Sequence, residues 1–400
     1  PTFHSETMAV YPGDKNHLPY DVVVERLHIE EPEPPAPVTE PEKTFEEVLD
    51  EHPVSIQVNG QWQTFPNAKA AEEASYEEYK ANLRRNAKNF RITDEHLGEG
   101  GPKAKFQANV NAIRLMKELE AAGQQASPEQ QEVLSRYVGW GGLSDAFDPE
   151  KPVWALEYAQ LKELLTPEEY AAARSSTLNA HYTSPTVIQA IYEAVGRMGF
   201  ETGNILEPSM GVGNFFGMLP EEMRNSRLYG VELDPISGRI AKQLYPKADI
   251  TVGGFETTDR RDFFDLAIGN VPFGQYQVND KAYNKLNFNI HNYFFAKALD
   301  QVRPGGVVAF VTSRYTMDAK DSTVRRYLAQ RAELLGAIRL PNDAFKKNAG
   351  AEVVSDIIFL QKRDRPLDIV PEWTQTGQTE DGFAINRYFI DHPEMVLGRQ

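Results

Sequence analysis

The sequence predicts an α/β fold built on a mostly parallel sheet, with an antiparallel last strand and a helical region in front of it. Three observations carry this. After residue 178, short apolar runs alternate with amphipathic helical segments, the pattern of repeated βα units. A glycine-rich turn, Gly211-Val212-Gly213, follows the apolar run ending at Leu206 and opens a helix. The last two apolar runs, 334–340 and 354–361, leave no room for a full helix between them and so pair antiparallel.

Composition bounds the reading. Four hundred residues allow two or three domains, and no apolar run approaches the roughly 18 residues of a membrane span. The first residues also lack a basic-then-apolar signal pattern, so a soluble cytoplasmic protein with no membrane partner is expected. The complete lack of cysteine removes disulfides, thiolate metal sites and cysteine nucleophiles, and the eight histidines are scattered, so no metal is expected. The net charge is −16; residues 1–50 carry twelve acidic and three basic side chains, leaving −7 for the rest. A local basic face is therefore compatible with the total.

In chain order, residues 1–43 end in the acidic proline-rich run 31–37, which reads as an extended linker, with a lone strand at 21–25. Residues 44–66 form a small appendage, since Val54–Val58 and Gln61–Phe65 alternate around Asn59-Gly60, a hairpin signal. Residues 67–177 read as a helical domain. Its helices are expected at 67–86, along the spaced apolar series Ala112, Ile113, Leu115, Met116 and Leu119, and from Ser127-Pro128 onward. The glycine-broken loop Val138-Gly139-Trp140-Gly141-Gly142 is expected as a buried packing corner, with a place near nucleic acid as the sharper alternative. A basic cluster near it (Arg84, Arg85, Lys88, Arg91, Lys103 and Lys105) reads as a solvated face.

Residues 178–365 hold the sheet. The segment His181–Pro185 opens a helix over 187–198, and strands follow near 206, over 227–231, near 250–252, over 264–269 and over 306–312. Helices are expected from Asn214, after Pro235 and over 289–301, where Tyr293, Phe294 and Phe295 face the sheet. Residues 366–400 are a C-terminal extension or the start of a further region.

The site is expected at the carboxyl ends of the central strands. Gly211 and Gly213 let the backbone turn tightly and approach a ligand, and Glu232 closes the next strand about twenty residues later, where a carboxylate can accept both ribose hydroxyls. A dinucleotide is the alternative ligand. It wants a small residue where Phe216 stands and disfavours Glu207 beside its phosphates. S-adenosyl-L-methionine, cationic and free of phosphate, suits nearby carboxylates better. The tetrad Asn270-Val271-Pro272-Phe273 follows the strand 264–269, offering an amide, a carbonyl and a ring just past its end. An exocyclic amine conjugated to a purine is a poor nucleophile. Two acceptors, the Asn270 side-chain oxygen and the Val271 carbonyl, would direct its lone pair, while Phe273 stacks on a base swung out of the duplex.

Tyr182-Thr183-Ser184-Pro185, Glu207–Gly213 and Asn270–Phe273, in this order and spacing, resemble the amino-methyltransferases of DNA. More closely, residues 100–363 resemble the adenine-N6 DNA methylase modules of long mobile-element and phage proteins that join a methylase to a helicase-like region. Lys103–Phe106 and Tyr137–Gly142 look like the helical section preceding the methylase there. The resemblance implies a Rossmann-like class I methyltransferase sheet and methyl transfer to adenine N6 in duplex DNA by base flipping. Its implied partners are a helicase-like region of the same protein or a separate recognition subunit. It places Tyr182, Thr183 and Pro185 at the methionine end of the cofactor, and Glu207, Pro208, Gly211 and Gly213 around its amino acid and ribose. Glu232 would take the ribose hydroxyls and Phe255 the adenine.

Two positions depart from the family pattern. Val271 replaces the first proline of the tetrad, and Gly254 stands where relatives often carry an acidic residue. Alternative readings are a methyltransferase acting on RNA or on protein glutamine, and a catalytically weak binding module in an anti-restriction or helicase protein. His291 and Asn292 border the expected target pocket but read first as structural. Arg314 and the basic loop Lys346–Gly350 are candidate phosphate contacts.

Overall fold

The computed structural model describes residues 52–177, 182–342, 344 and 354–398. The linker at 1–43 with its strand at 21–25, His181 and the basic loop 346–350 lie outside the described residues. The chain divides into two compact units, one comprising residues up to Ala87 with Gly123–Gln125, the other residues 88–122 and 126 onward. In the first, strands β1 (Val54–Val58) and β2 (Gln61–Phe65) pair antiparallel. Asn59 and Gly60 turn between them with φ of 52° and 74°, the left-handed pair that a two-residue hairpin demands. Helix α1 (Ala68–Asn86) follows, capped by the Asn67 side chain.

The second unit begins with four helices: α2 (Pro102–Ala121), α3 (Pro128–Ser135), α4 (Ala155–Leu164) and α5 (Pro167–Ser176). Ser127 and Thr166 close capping boxes ahead of a proline, which fixes where α3 and α5 begin. Helix α6 (Pro185–Arg197) is capped by Ser184 and leads into the sheet.

The seven sheet strands are β3 (Asn204–Glu207), β4 (Arg227–Glu232), β5 (Asp249–Val252), β6 (Phe264–Asn270), β7 (Val302–Ser313), β8 (Ala332–Arg339) and β9 (Ser355–Lys362). Their order is β5-β4-β3-β6-β7-β9-β8, with β9 antiparallel to both neighbours and the other pairings parallel. This is the class I methyltransferase sheet, mostly parallel with an antiparallel last strand. Both faces are covered. Along β7, Val307, Ala309 and Val311 join the core shared with the leading helices and with α7 (Pro235–Leu244), whereas Val308 and Phe310 face α8 (Ile290–Gln301). Each fully buried Val or Phe side chain among these contributes about 1.5–3 kcal/mol. Tyr293, Phe294 and Phe295 are all buried in the second core.

Two details differ from the sequence reading. The helix expected from Asn214 is a single turn, Asn214–Gly217, because Pro220 follows and restricts the residue before it. Helix α9 (Thr323–Arg331) is mostly polar and was not anticipated; it buries Arg325, Leu328 and Ala329. Residues past Pro366 pack on the same unit: Asn386 donates to the carbonyls of Met317 and Trp373, and Arg325 donates to that of Thr374.

Candidate active site

The chain leaves β3 for β4 and β5 on one side of the sheet and returns to β6 and β7 on the other. Such a reversal opens a crevice at the strand carboxyl ends, and a cavity of about 420 Å³ lies there. Its floor is set by the last residues of three adjacent strands: Glu207 of β3, Glu232 of β4 and Asn270 of β6. Tyr182, Thr183 and Gly211 also line it, as do Val271 and Pro272.

Two carboxylates dominate the electrostatics. Glu207 is buried, and one of its carboxylate oxygens has no hydrogen-bond partner. Burial, and then the nearby charge of Glu232, hold its carboxyl well above the usual range. Glu232 accepts from the backbone N–H of Gly211 at 2.6 Å and of Asp234 at 2.8 Å. Burial still pushes its carboxyl up to about 7. With Asp234 also on the wall and no Lys, Arg or His among the described lining residues, every ionisable carboxyl or base lining the cavity is an acid. An orphaned buried carboxylate oxygen in such a wall fits a cationic ligand and disfavours a pyrophosphate.

The Asn270 end is built for acceptors. Its side-chain N–H donates to the Thr183 hydroxyl at 3.1 Å, which turns the amide oxygen to the other side. The Ser209 hydroxyl donates to the Asn270 carbonyl at 2.8 Å and pins the backbone. Gly269 precedes it with φ of 151°, and a Cβ there would meet Glu207 at 3.3 Å, so glycine is what brings the two strand ends together. Val271 uses the group that a proline lacks: its N–H donates to the Val311 carbonyl at 3.1 Å, carrying the ladder one residue past β6.

Other sequence candidates lie elsewhere. Pro185 is the first residue of α6, and Pro208 is buried behind the turn. Gly213 is buried, with its Cβ position 2.5 Å from the Tyr245 ring. Phe255 is stacked in the second core at 4.9 Å from Phe294, away from the cavity wall. Phe273 is half-buried and packs against both cores rather than lining the cavity. His291 and Asn292 are buried, His291 held neutral with its pKa lowered to about 4 by burial and Asn292 accepting from Thr316.

The structure adds a wall that sequence reading missed. Trp140 anchors the 138–142 loop, edge-on to Phe147 at 5.4 Å and to Phe106 at 6.0 Å, as a packing corner. Yet Tyr137, Val138 and Gly139 of that stretch, with Ser175 and Ser176 of α5, close one side of the cavity. Tyr276 lines it as well. The glycine at 139 was the available signal, and only tertiary packing brings it to the cavity wall.

Residues 245–345, which include the Asn270 tetrad, match the family model of the Eco57I restriction-modification methylase. That stretch is similar to the methylases of restriction-modification systems. Over 272 residues, 66% of its length, the chain is 27% identical to the defense against restriction protein B of Escherichia phage P1. Over 92 residues, 23% of the chain, it is 39% identical to the type II methyltransferase M.CvrRI of Paramecium bursaria Chlorella virus XZ-6E. The chain spans only 10% of the phage protein and 24% of the viral one. Among solved structures, a putative class I S-adenosylmethionine-dependent methyltransferase of Listeria monocytogenes aligns with a TM-score of 0.43 at 18% identity, covering 68% of this chain and 90% of that one.

Proposed function

We propose that the methylase module transfers a methyl group from S-adenosyl-L-methionine to the exocyclic N6 amine of adenine in DNA, with the target base swung out of the duplex. One observation carries the reading. The Asn270 amide, oriented by Thr183, shares one cavity with the buried, partnerless carboxylate oxygen of Glu207.

Bound there, the cofactor supplies an electrophilic methyl group. Glu207 would meet its positive charge, Glu232 would accept from its ribose hydroxyls, and Tyr182 and Thr183 would border its methionine end. The Asn270 side-chain oxygen and the Val271 carbonyl would each accept one N–H of the target amine. Those two bonds favour a pyramidal nitrogen and aim its lone pair, so positioning supplies most of the acceleration. The released proton leaves to solvent or along the Asn270 amide. Recognition of the site falls to a helicase-like region of a longer protein or to a separate subunit, and the likeness to the phage defense against restriction protein B supports an anti-restriction setting.

Labelled methyl transfer from S-adenosyl-L-methionine to duplex DNA, RNA and protein, followed by nucleoside mass spectrometry, tests this. N6-methyladenine in DNA is the expected product. Label confined to RNA or to protein glutamine contradicts the DNA assignment, and cofactor binding without any transfer contradicts catalysis.

A further inference from the structure

The cavity wall at 137–139 belongs to the helices that precede the sheet, and one side chain holds it. Asn109 of α2 is fully buried; its amide oxygen accepts from the Val138 N–H at 2.9 Å and its amide N–H donates to the Gly139 carbonyl at 2.6 Å. Those bonds engage the outer backbone groups of the two residues. The inner groups, the Val138 carbonyl and the Gly139 N–H, share one peptide link and have no hydrogen-bond partner among the described residues. Gly139 has φ of 75°, a turn in which no side chain covers the link. A ligand that fills the cavity displaces water from this link, so its two polar groups then need partners on the ligand.

The wall stands at the Glu232 end of the cavity. The Tyr137 ring is buried with its hydroxyl beside Ser237, near the charges of Asp234 and Glu232. Asp234 is committed to the start of α7, where it accepts from the Ser237 N–H at 2.8 Å and hydroxyl at 2.7 Å. At the far end of the loop the Gly142 N–H donates to the Thr177 carbonyl at 3.4 Å, just past α5.

We infer that the Val138–Gly139 peptide link contacts the nucleoside half of the cofactor, and that Asn109 is the positioning residue that holds the link there. This rests on the cofactor site proposed above and deepens it: the leading helices complete the pocket. A nucleoside offers ring nitrogens and hydroxyl oxygens to the Gly139 N–H, and an amine and hydroxyls to the Val138 carbonyl. Loss of one such bond raises Kd by about 2- to 12-fold.

Two measurements test this. In the unsubstituted protein, the Gly139 amide should exchange its hydrogen more slowly with sinefungin bound; unchanged exchange in the complex overturns the contact. Asn109→Leu keeps the side chain's size and removes both bonds. Its control is Leu161→Ala, which opens a void in the buried core of α4 without touching the wall. Below the thermal midpoint of every variant, Asn109→Leu should raise Kd by the same factor for sinefungin and for adenosine, while Leu161→Ala lowers the midpoint and leaves both Kd values alone. Equal Kd values in all three proteins, or the same rise in both variants, overturns the positioning role. A rise for sinefungin alone overturns the nucleoside assignment. If Asn109→Leu does not fold, the exchange measurement decides. Failure of the unsubstituted protein to bind sinefungin overturns the cofactor site and the inference together, whereas binding without methyl transfer to DNA overturns the proposed function alone.

Discussion

Thr183 makes a sharp prediction, because its only assigned task at the site is to orient another residue. The Asn270 side-chain N–H reaches the Thr183 hydroxyl at 3.1 Å, and Thr183 is buried. Thr183→Val keeps the shape and removes the acceptor, so the amide loses the bond that turns its oxygen toward the target amine. A neutral buried hydrogen bond of this kind contributes about 0.5–1.5 kcal/mol, which translates to roughly a 2- to 12-fold loss in the rate of methyl transfer. Asn270→Ala deletes the acceptor itself. By analogy with other groups aimed at a developing charge it should cost about 10²- to 10³-fold, with cofactor affinity nearly unchanged. Single-turnover transfer of labelled methyl to duplex DNA, with enzyme in excess, measures both. In the double variant the valine should have no further effect, because nothing is left to orient. A Thr183→Val loss that persists undiminished in the Asn270→Ala background would refute the orienting role.

Three other outcomes follow from the same geometry. Since burial raises the Glu232 carboxyl to about 7, the free protein holds a proton there that the unfolded chain releases near pH 4. The ligand-free protein therefore loses stability as pH rises from about 4 to 7, and binding of the cationic cofactor expels the proton. Calorimetry in buffers of differing ionisation heat should show proton release near pH 6 that fades above pH 8, with affinity rising across that window; pH-independent binding contradicts the assignment. Gly269→Ala forces a side chain into a φ of 151° against Glu207. It should destabilise by about 1–3 kcal/mol in urea unfolding and slow methyl transfer as well. Arg339 donates to Asp356 at 2.8 and 2.9 Å and pairs with Asp318 at 2.8 Å, with Arg339 and Asp356 buried. Arg339→Met strands two carboxylates and should cost about 3–5 kcal/mol at pH 8, less below pH 6, where Asp356 takes up its proton.

The fold was legible where local chemistry decides it. Strands buried on both faces must be continuous apolar runs, so β6 and β7 stood out, and Asn59-Gly60 declared the hairpin. Helix α9 did not, because its sequence is largely polar and its buried Arg325 bonds the Thr374 carbonyl far along the chain. At the site, Glu207, Glu232 and Asn270 could be read because each simply ends a strand at the crevice. Phe255 lies in one hydrophobic core and Phe273 packs against both. Whether an aromatic turns to a cavity or to a core depends on packing against α8, which no spacing encodes. Tyr276 and the Tyr137–Gly139 wall were hidden because only tertiary packing brings them to the cavity.

The central claim is that one cavity holds both the methyl donor and the target amine. A crystal structure with sinefungin, a stable analogue of the donor, tests it most directly. The claim predicts the analogue in the 420 Å³ cavity, its amino groups toward Glu207, its ribose on Glu232 and open space remaining before Asn270. An analogue seated elsewhere, or a cavity closed over by side chains with no route from Glu232 to Asn270, would contradict it.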